Sequence, residues 1–416
     1  MGAFISRIWH IFISPAAPVP KSENALKFGI LGAARIVPMG LIVPAKSHPE
    51  VIVQAIAARD RTRAEAFAKK HGIPEVKDSY EEIINDPTIN CIYIPLPNAF
   101  HYPWALRALA AGKHVLLEKP SVSNAAEAVT LFSHSSLSLP NAPVILEGFH
   151  FQFFPSWQLF RSLIPSTEIA YVSSESQLPA WMIKDDDISL NYKLAGGAMM
   201  NLGVYHFAAL RLLFGSEPEE CVSCKSDSFT EGPQKGCDFR SHATFKFPGG
   251  GIGEAKCDLK GGKMYKVDFT TVRLHDKVIP TPSLPASQEQ IKSRTLTLWG
   301  MMHGILWHRI DIIDTFTIRD STTKAVVKTW KEKSTRKAYT FDEAGGEFTG
   351  LKGGKDWMSF RYQLEEFVNR VKGRETQYWI EGEESVRTMK MVDLAYEKNG
   401  LGARVGMGEV GGVKGQ

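Results

Sequence analysis

From Lys27 to Gly148 the chain alternates short apolar runs with segments of helical periodicity. Lys27-Phe28-Gly29-Ile30-Leu31 predicts a first strand, and Gly32 to Val37 opens a helix. Val51 to Ala58 predicts the second strand, and Thr62-Arg63-Ala64-Glu65 is a capping box for a helix ending near His71-Gly72. Ser79-Tyr80-Glu81-Glu82 is a second box. Cys91-Ile92-Tyr93-Ile94 is a strand running into Pro95-Leu96-Pro97-Asn98, with a helix from about His101, and His114-Val115-Leu116-Leu117 is another strand. Repeated strand–helix units of this length give a doubly wound parallel sheet. After Glu147-Gly148 the pattern changes to strands such as Ile169–Ser173, Ser241–Phe247 and Lys266–Arg273, separated by Gly/Pro turns. Two amphipathic helices, near Met358–Val371 and Glu384–Lys398, are expected to pack back across the junction. The organisation expected is an arm over residues 1–26, a nucleotide-binding domain over 27–147 and a second α/β domain over 148–416.

A length of 416 residues suits two domains or one large one. Net charge is +4 with no Lys/Arg block, so nucleic acid is not indicated. The five cysteines are odd in number and sparse, which points to a reducing compartment, the cytoplasm. Cys221-Val222-Ser223-Cys224 resembles half a zinc site, but residues three apart on a strand face opposite ways and no matching pair follows, so no metal is expected. The apolar stretch Phe4–Ile13 is interrupted by Arg7 and His10 and is too short to span a bilayer. Met1-Gly2 with Ser6 fits a permissive myristoylation pattern. An arm packing on its own protein or on a partner subunit is preferred to membrane contact.

Glu118-Lys119-Pro120 stands where an apolar strand ends. Ligands of open α/β sheets bind outside the carboxyl ends of the strands, so a lysine delivered there is placed to do chemistry. The first strand–helix turn reads Gly32-x-Ala34-x-x-Val37, keeping one glycine of the dinucleotide fingerprint. Gly32, Ala34, Arg35 and Ile36 are the expected cofactor contacts of that turn, because small residues let a pyrophosphate approach. The second strand ends in Ala58-Arg59-Asp60-Arg61. Arg59 can stack on adenine and pair with a 2′-phosphate, which favours NADP; Asp60 is the competing feature and would serve the ribose of NAD.

Three motifs carry a family resemblance: Pro97-Asn98-x-x-His101, Ala111-Gly112-Lys113-His114-Val115 into Glu118-Lys119-Pro120, and Gly196-Gly197-Ala198-Met199-Met200-Asn201-Leu202-Gly203-Val204-Tyr205. Together they resemble the glucose–fructose oxidoreductase / inositol dehydrogenase (Gfo/Idh/MocA) family. Within it the likeness is to the branch of dimeric dihydrodiol dehydrogenases and fungal NADP-dependent D-xylose dehydrogenases, over about Lys27 to Arg404. The resemblance implies a Rossmann domain followed by an α/β domain with a large, mostly antiparallel open sheet, whose open face makes a homodimer. It also implies cofactor contacts at Pro97, Asn98, His101, Glu118 and Lys119.

A dehydrogenase must take a proton from a hydroxyl as hydride leaves the same carbon. Tyrosine, with an ordinary pKa of about 10, is a poor base unless a nearby ammonium favours phenolate. Tyr205 with Lys119 supplies that pair by resemblance, and Lys119 also holds the nicotinamide ribose and the reacting hydroxyl. The Gly-Gly start of the third motif is expected to aim a helix N-terminus at the site, with Asn201 and Tyr205 on one helix face. His206 reads as an ordinary helix residue.

The chain departs from the family at Asn201, where an aspartate is common, and at Gln152 and Phe154, where the branch has arginine and histidine. With His150 these residues are the expected substrate contacts, giving a pocket less charged and more aromatic than a sugar site. An NADP-dependent oxidoreductase acting on an aldose such as D-xylose or a related cyclic alcohol is expected. The alternatives are a weakly catalytic NADP-binding regulatory relative and a dehydrogenase of an aromatic or cyclic metabolite.

Overall fold

The computed structural model describes residues 18–302 and 304–407. The expectations for the N-terminal arm before residue 18, myristoylation included, lie outside the described residues. Six strands form the first sheet: β1 (Leu26–Leu31), β2 (Val51–Ala57), β3 (Glu75–Val76), β4 (Cys91–Ile94), β5 (His114–Leu117) and β6 (Ile145–Glu147). Their order is β3-β2-β1-β4-β5-β6, and every pairing is parallel. All four residues of β4 are buried, as a strand covered on both faces requires. The order reverses between β1 and β4, which opens a crevice at their carboxyl ends.

Local details differ from the sequence reading in three places. The helix after β2 spans Arg61–His71 and is capped by Asp60, whose side chain accepts from Arg63 N at 3.1 Å; Thr62 lies inside the helix. Asp60 is the last residue with extended backbone, so its carboxylate alone can turn back onto the first-turn amides. The helix expected from Gly32 begins only after a turn: a π-helical stretch, Pro38–Ile42, leads into Val43–Lys46. Pro38 lacks an N–H and is therefore suited to a helix start. The box at Ser79 is present, with Ser79 Oγ accepting from Glu82 N and the Glu82 carboxylate from Asp78 N.

The second sheet has nine strands: β7 (Ile169–Pro179), β8 (Glu220–Ser228), β9 (Asp238–Lys246), β10 (Ile252–Gly261), β11 (Phe269–Leu274), β12 (Lys277–Ile279), β13 (Gln288–Trp299), β14 (Arg309–Asp320) and β15 (Val326–Arg336). Its path is β15-β14-β13-β11-β7-β10-β9-β8, with β12 paired to β13. The β7–β10 pair is parallel and the other pairs are antiparallel. Along β10 the burial alternates strictly, so one face meets the helix Val204–Phe214 and the other remains open. A bulge in β8 skips Val222 between Cys221 and Ser223. The extra residue returns Cys224 to the face of Cys221, and both thiols are buried instead of facing opposite ways as the strand period suggested.

The helices Ser359–Val371 and Gly382–Lys398 cross the junction as expected. Phe367 meets Phe28 of β1 at 5.8 Å between ring centres, and Asp393 Oδ2 accepts from Ala125 N, at the start of the helix Ala125–Phe132. One hydrophobic core runs through both domains.

Candidate active site

The turn after β1 is shaped for close approach. Gly32 has φ of 101°, a left-handed conformation that favours glycine, and a Cβ there would crowd the Leu96 side chain at 3.0 Å. Gly32 N donates to Ala57 O, which ties the turn to the tip of β2. Ala34 packs against the core, and Ile36 packs beside Phe360, Met358 and Ile305 of the second domain. Arg35 is 80% exposed and reaches Asp187 at 3.5 Å, across the cleft mouth. Arg59 is exposed at the end of β2. Arg63, which the sequence reading passed over, donates to Ala33 O at 2.8 Å. Helical side chains lean toward the helix N-terminus, so a first-turn arginine reaches back to the turn, and that rule was the available signal. The hydroxyl of half-buried Tyr80, its pKa raised by burial, bonds the Arg59 backbone on the same side. A tight turn at the sheet's switch point, with two arginines beside it, fits a dinucleotide.

At the other end of the crevice β5 delivers Glu118 and Lys119. Glu118 Oε1 accepts from the Tyr93 hydroxyl at 2.7 Å, and burial raises its pKa. Lys119 Nζ donates to Asn201 O at 3.1 Å and lies 4.8 Å from the centre of the Tyr205 ring. Burial lowers the lysine's pKa, while Glu118 and Glu147 oppose that shift. Glu147, at the end of β6, accepts from Ser121 N at 2.7 Å, and burial lifts its carboxyl to about 7. His101 bridges two loops, with Nδ1 2.7 Å from Pro120 O and Nε2 2.7 Å from Leu96 O. Burial outweighs both carbonyls and drops its pKa to about 4. Asn98, after Pro97, donates to Ala195 O of the second domain at 2.9 Å. His101 and Asn98 thus hold the crevice walls together.

Tyr205 is buried on the helix Val204–Phe214, with Phe149 and Phe151 edge-on at 5.8 Å each. Its hydroxyl lies 3.3 Å from His150 Nε2, and His150 Nδ1 lies 2.9 Å from Ser359 Oγ. Burial pushes the phenol well above its ordinary pKa, followed by the negative charge of Glu118. The expected depression by Lys119 is absent in this arrangement, since the ammonium sits over the ring face and not at the hydroxyl.

Two further expectations are corrected. The helix N-terminus at Met199 is not offered to the site, because Met199 N donates to Asp238 Oδ2 at 2.9 Å. Gly197, at φ of 134°, is needed because a Cβ would run into Asp238, Arg404 and Tyr396, a buried cluster that grips this turn. Gln152 and Phe154 are not brought to Tyr205 with His150. Gln152 Oε1 accepts from the Tyr378 hydroxyl at 2.7 Å, and Phe154 packs on His308 and Tyr362. Residues His150–Phe153 form a 3₁₀ turn of about three residues per turn, so residue 152 leaves the direction taken by residue 150. Asn201 is half-buried on the π-helical turn Met199–Gly203, beside Lys119 through its carbonyl. His206 is an interior residue, as read, held between Ser174 and Ser176 at 2.7 Å each.

A tight glycine turn at the switch point of a parallel sheet, with a lysine–tyrosine contact at the end of β5, defines a two-domain nicotinamide-dependent oxidoreductase. The chain belongs to the Gfo/Idh/MocA family: residues 26–135 match its oxidoreductase model with an NAD-binding Rossmann fold, and residues 168–275 match its C-terminal domain. It is similar to D-xylose 1-dehydrogenase (NADP(+)) 2 of Haloferax volcanii, 29% identical over 91% of this chain and 99% of the relative. It is also 29% identical to trans-1,2-dihydrobenzene-1,2-diol dehydrogenase of Sus scrofa, over 56% of this chain and 68% of the relative. A 3-ketoreductase from Actinomadura kijaniata, solved in complex with NADP and TDP-benzene, shares the fold with a TM-score of 0.63 at 19% identity, over 90% of this chain and 98% of that chain. Among the described residues no helix is long and apolar enough to cross a membrane.

Proposed function

We propose that this enzyme is an NADP-dependent dehydrogenase acting on a CH–OH carbon of an aldose or a less polar cyclic alcohol. The observation that carries the reading is Lys119 Nζ lying over the Tyr205 ring at the carboxyl end of β5, in the crevice that starts at Gly32. A nicotinamide held in that crevice would supply the hydride acceptor. Lys119 orients the reacting oxygen, and Tyr205 exchanges its proton. Arg59 and Arg63 support NADP, since both cations lie beside the adenosine end of the crevice. Phe149 and Phe151 around Tyr205, together with the uncharged Asn201, favour a ligand with fewer hydroxyls than a pentose. An NADPH-absorbance screen against D-xylose, trans-dihydrodiols and dicarbonyls tests this, and silence toward all three with intact NADPH binding would favour a regulatory role instead.

The open face of the second sheet carries the reading of a homodimer. Phe269, Trp299, Trp307 and Val267 line a shallow groove there beside Arg309 and Lys266, and Met264 and Tyr265 are exposed nearby. Sedimentation at micromolar concentration tests it. All five cysteines are buried thiols, which suits a reducing cytoplasm.

A further inference from the structure

Turning a hydroxyl into a carbonyl releases a proton, and burial keeps the Tyr205 phenol protonated. A protonated phenol accepts a proton only as it gives up its own. The side chain placed against its hydroxyl is His150, with Nε2 at 3.3 Å. His150 is buried, its ring centre lies 4.0 Å from that of Phe360, and its Nδ1 lies 2.9 Å from the buried Ser359 Oγ. The contact joins three parts of the chain: the turn after β6, the helix Val204–Phe214 and the start of the helix Ser359–Val371. Phe360 belongs to a small apolar cluster against which Ile36 of the turn after β1 packs. When Ser359 Oγ accepts from Nδ1–H, the other nitrogen, Nε2, is left as an acceptor for the phenol. Stacking alone would be served by a phenylalanine, which has no nitrogen to place at both hydroxyls.

We infer that His150 is a proton relay for Tyr205, oriented by Ser359. In the oxidative direction the substrate O–H bond breaks and its proton goes to the Tyr205 oxygen. The phenol O–H bond breaks and its proton goes to His150 Nε2. The C–H bond breaks with its electron pair leaving as hydride to the nicotinamide. One proton then resides on the imidazolium, which returns it to water when the product leaves; reduction runs the same path backwards. His150 acts through Tyr205 and is a positioning and relay residue. The inference rests on the dehydrogenase reading, and its first test needs neither substrate nor cofactor.

In protein labelled with ¹⁵N-histidine, the His150 resonances, identified by their loss in His150→Gln, should show Nδ1–H and a bare Nε2. The Nε2 signal should move in Tyr205→Phe. A proton on Nε2 would make His150 a donor to the phenol and overturn the relay. With NADP and either D-xylose or trans-1,2-dihydrobenzene-1,2-diol, His150→Phe should lower kcat on the order of tenfold or more, while the calorimetric affinity for NADPH stays within about twofold. His150→Ala should regain part of its rate in added imidazole, which a packing role would not allow. An unchanged kcat in His150→Phe overturns the relay. Absence of wild-type turnover on both substrates overturns the dehydrogenase reading, and the tautomer still decides the hydrogen bond's direction.

Discussion

Lys119 Nζ stands over the face of the Tyr205 ring, 4.8 Å from its centre, while the Tyr205 hydroxyl lies 3.3 Å from His150 Nε2. The cation lies against the ring, and the phenol oxygen has a buried imidazole beside it. A substrate oxygen entering between Lys119 and Tyr205 meets a donor on one side and a phenol with a proton path behind it on the other.

Lys119→Met should abolish turnover without unfolding the protein, since the lysine is half-buried and, among the described residues, its one side-chain hydrogen bond is to Asn201 O. Tyr205→Phe should lower kcat by about 10²–10⁴-fold, the usual contribution of a general acid–base group, with NADPH affinity unchanged. Steady-state rates beside calorimetry check both, and a twofold loss in Tyr205→Phe would remove that residue from the chemistry.

Arg59 and Asp60 make separable claims. Arg59→Ala should erase most of the preference for NADP over NAD. Asp60→Ala should leave that preference alone and cost about 1 kcal/mol through the lost cap on the helix Arg61–His71. Titration with both cofactors and thermal melts measure the two effects; a wild type that favours NAD reassigns the ribose to Asp60.

Asn201→Asp should raise activity on D-xylose, for which the wild type should show a high KM. A carboxylate accepts from two sugar hydroxyls where the amide also donates. Efficient wild-type oxidation of D-xylose, unimproved by the substitution, would contradict the less polar pocket.

The contribution of Glu147 to stability should fall as pH rises from about 5 to about 8. Its folded pKa of about 7 lies above the ordinary 4.5, so the folded state holds more protons than the unfolded state inside that window. The stabilising contribution is complete below the ordinary value and is lost as pH passes the folded value. Glu147→Gln keeps an acceptor for Ser121 N and removes the charge, so its melting temperature should gain on that of the wild type as pH rises over this range and exceed it at pH 8. Equal pH slopes in the two proteins would rule Glu147 out.

Gly197→Ala should destabilise the protein on the order of 3 kcal/mol, because it forces a strained φ and drives a methyl into buried Asp238 and Arg404. Gly112→Ala, also at positive φ but with open space around it, should cost less. Melting temperatures of the two variants compare crowding with strain.

Local pattern was enough for much of this molecule. The strands β1, β2, β4 and β5, the box at Ser79 and both late helices follow from apolar period and turn chemistry, because each depends on neighbours within a few residues. The motif Glu118-Lys119-Pro120 and the distant Tyr205 were legible as partners through a family pattern, and the fold brings them together. What only the tertiary structure decided is direction and environment. Val222 bulges out of β8 because of how β9 pairs with it, and this reverses the side on which Cys224 falls. Asp60 and not Thr62 caps a helix because the backbone turns two residues earlier, which employs the residue that competed for the ribose. Gln152 leaves the pocket through a 3₁₀ turn, and His150 enters it. The ionisation of Tyr205, Lys119 and Glu147 depends on water excluded by residues hundreds of positions apart in the chain, such as Ser121 and Ser385 around Glu147. Sequence spacing carries no measure of that exclusion; burial arises only when the two domains and the C-terminal helices close on one core.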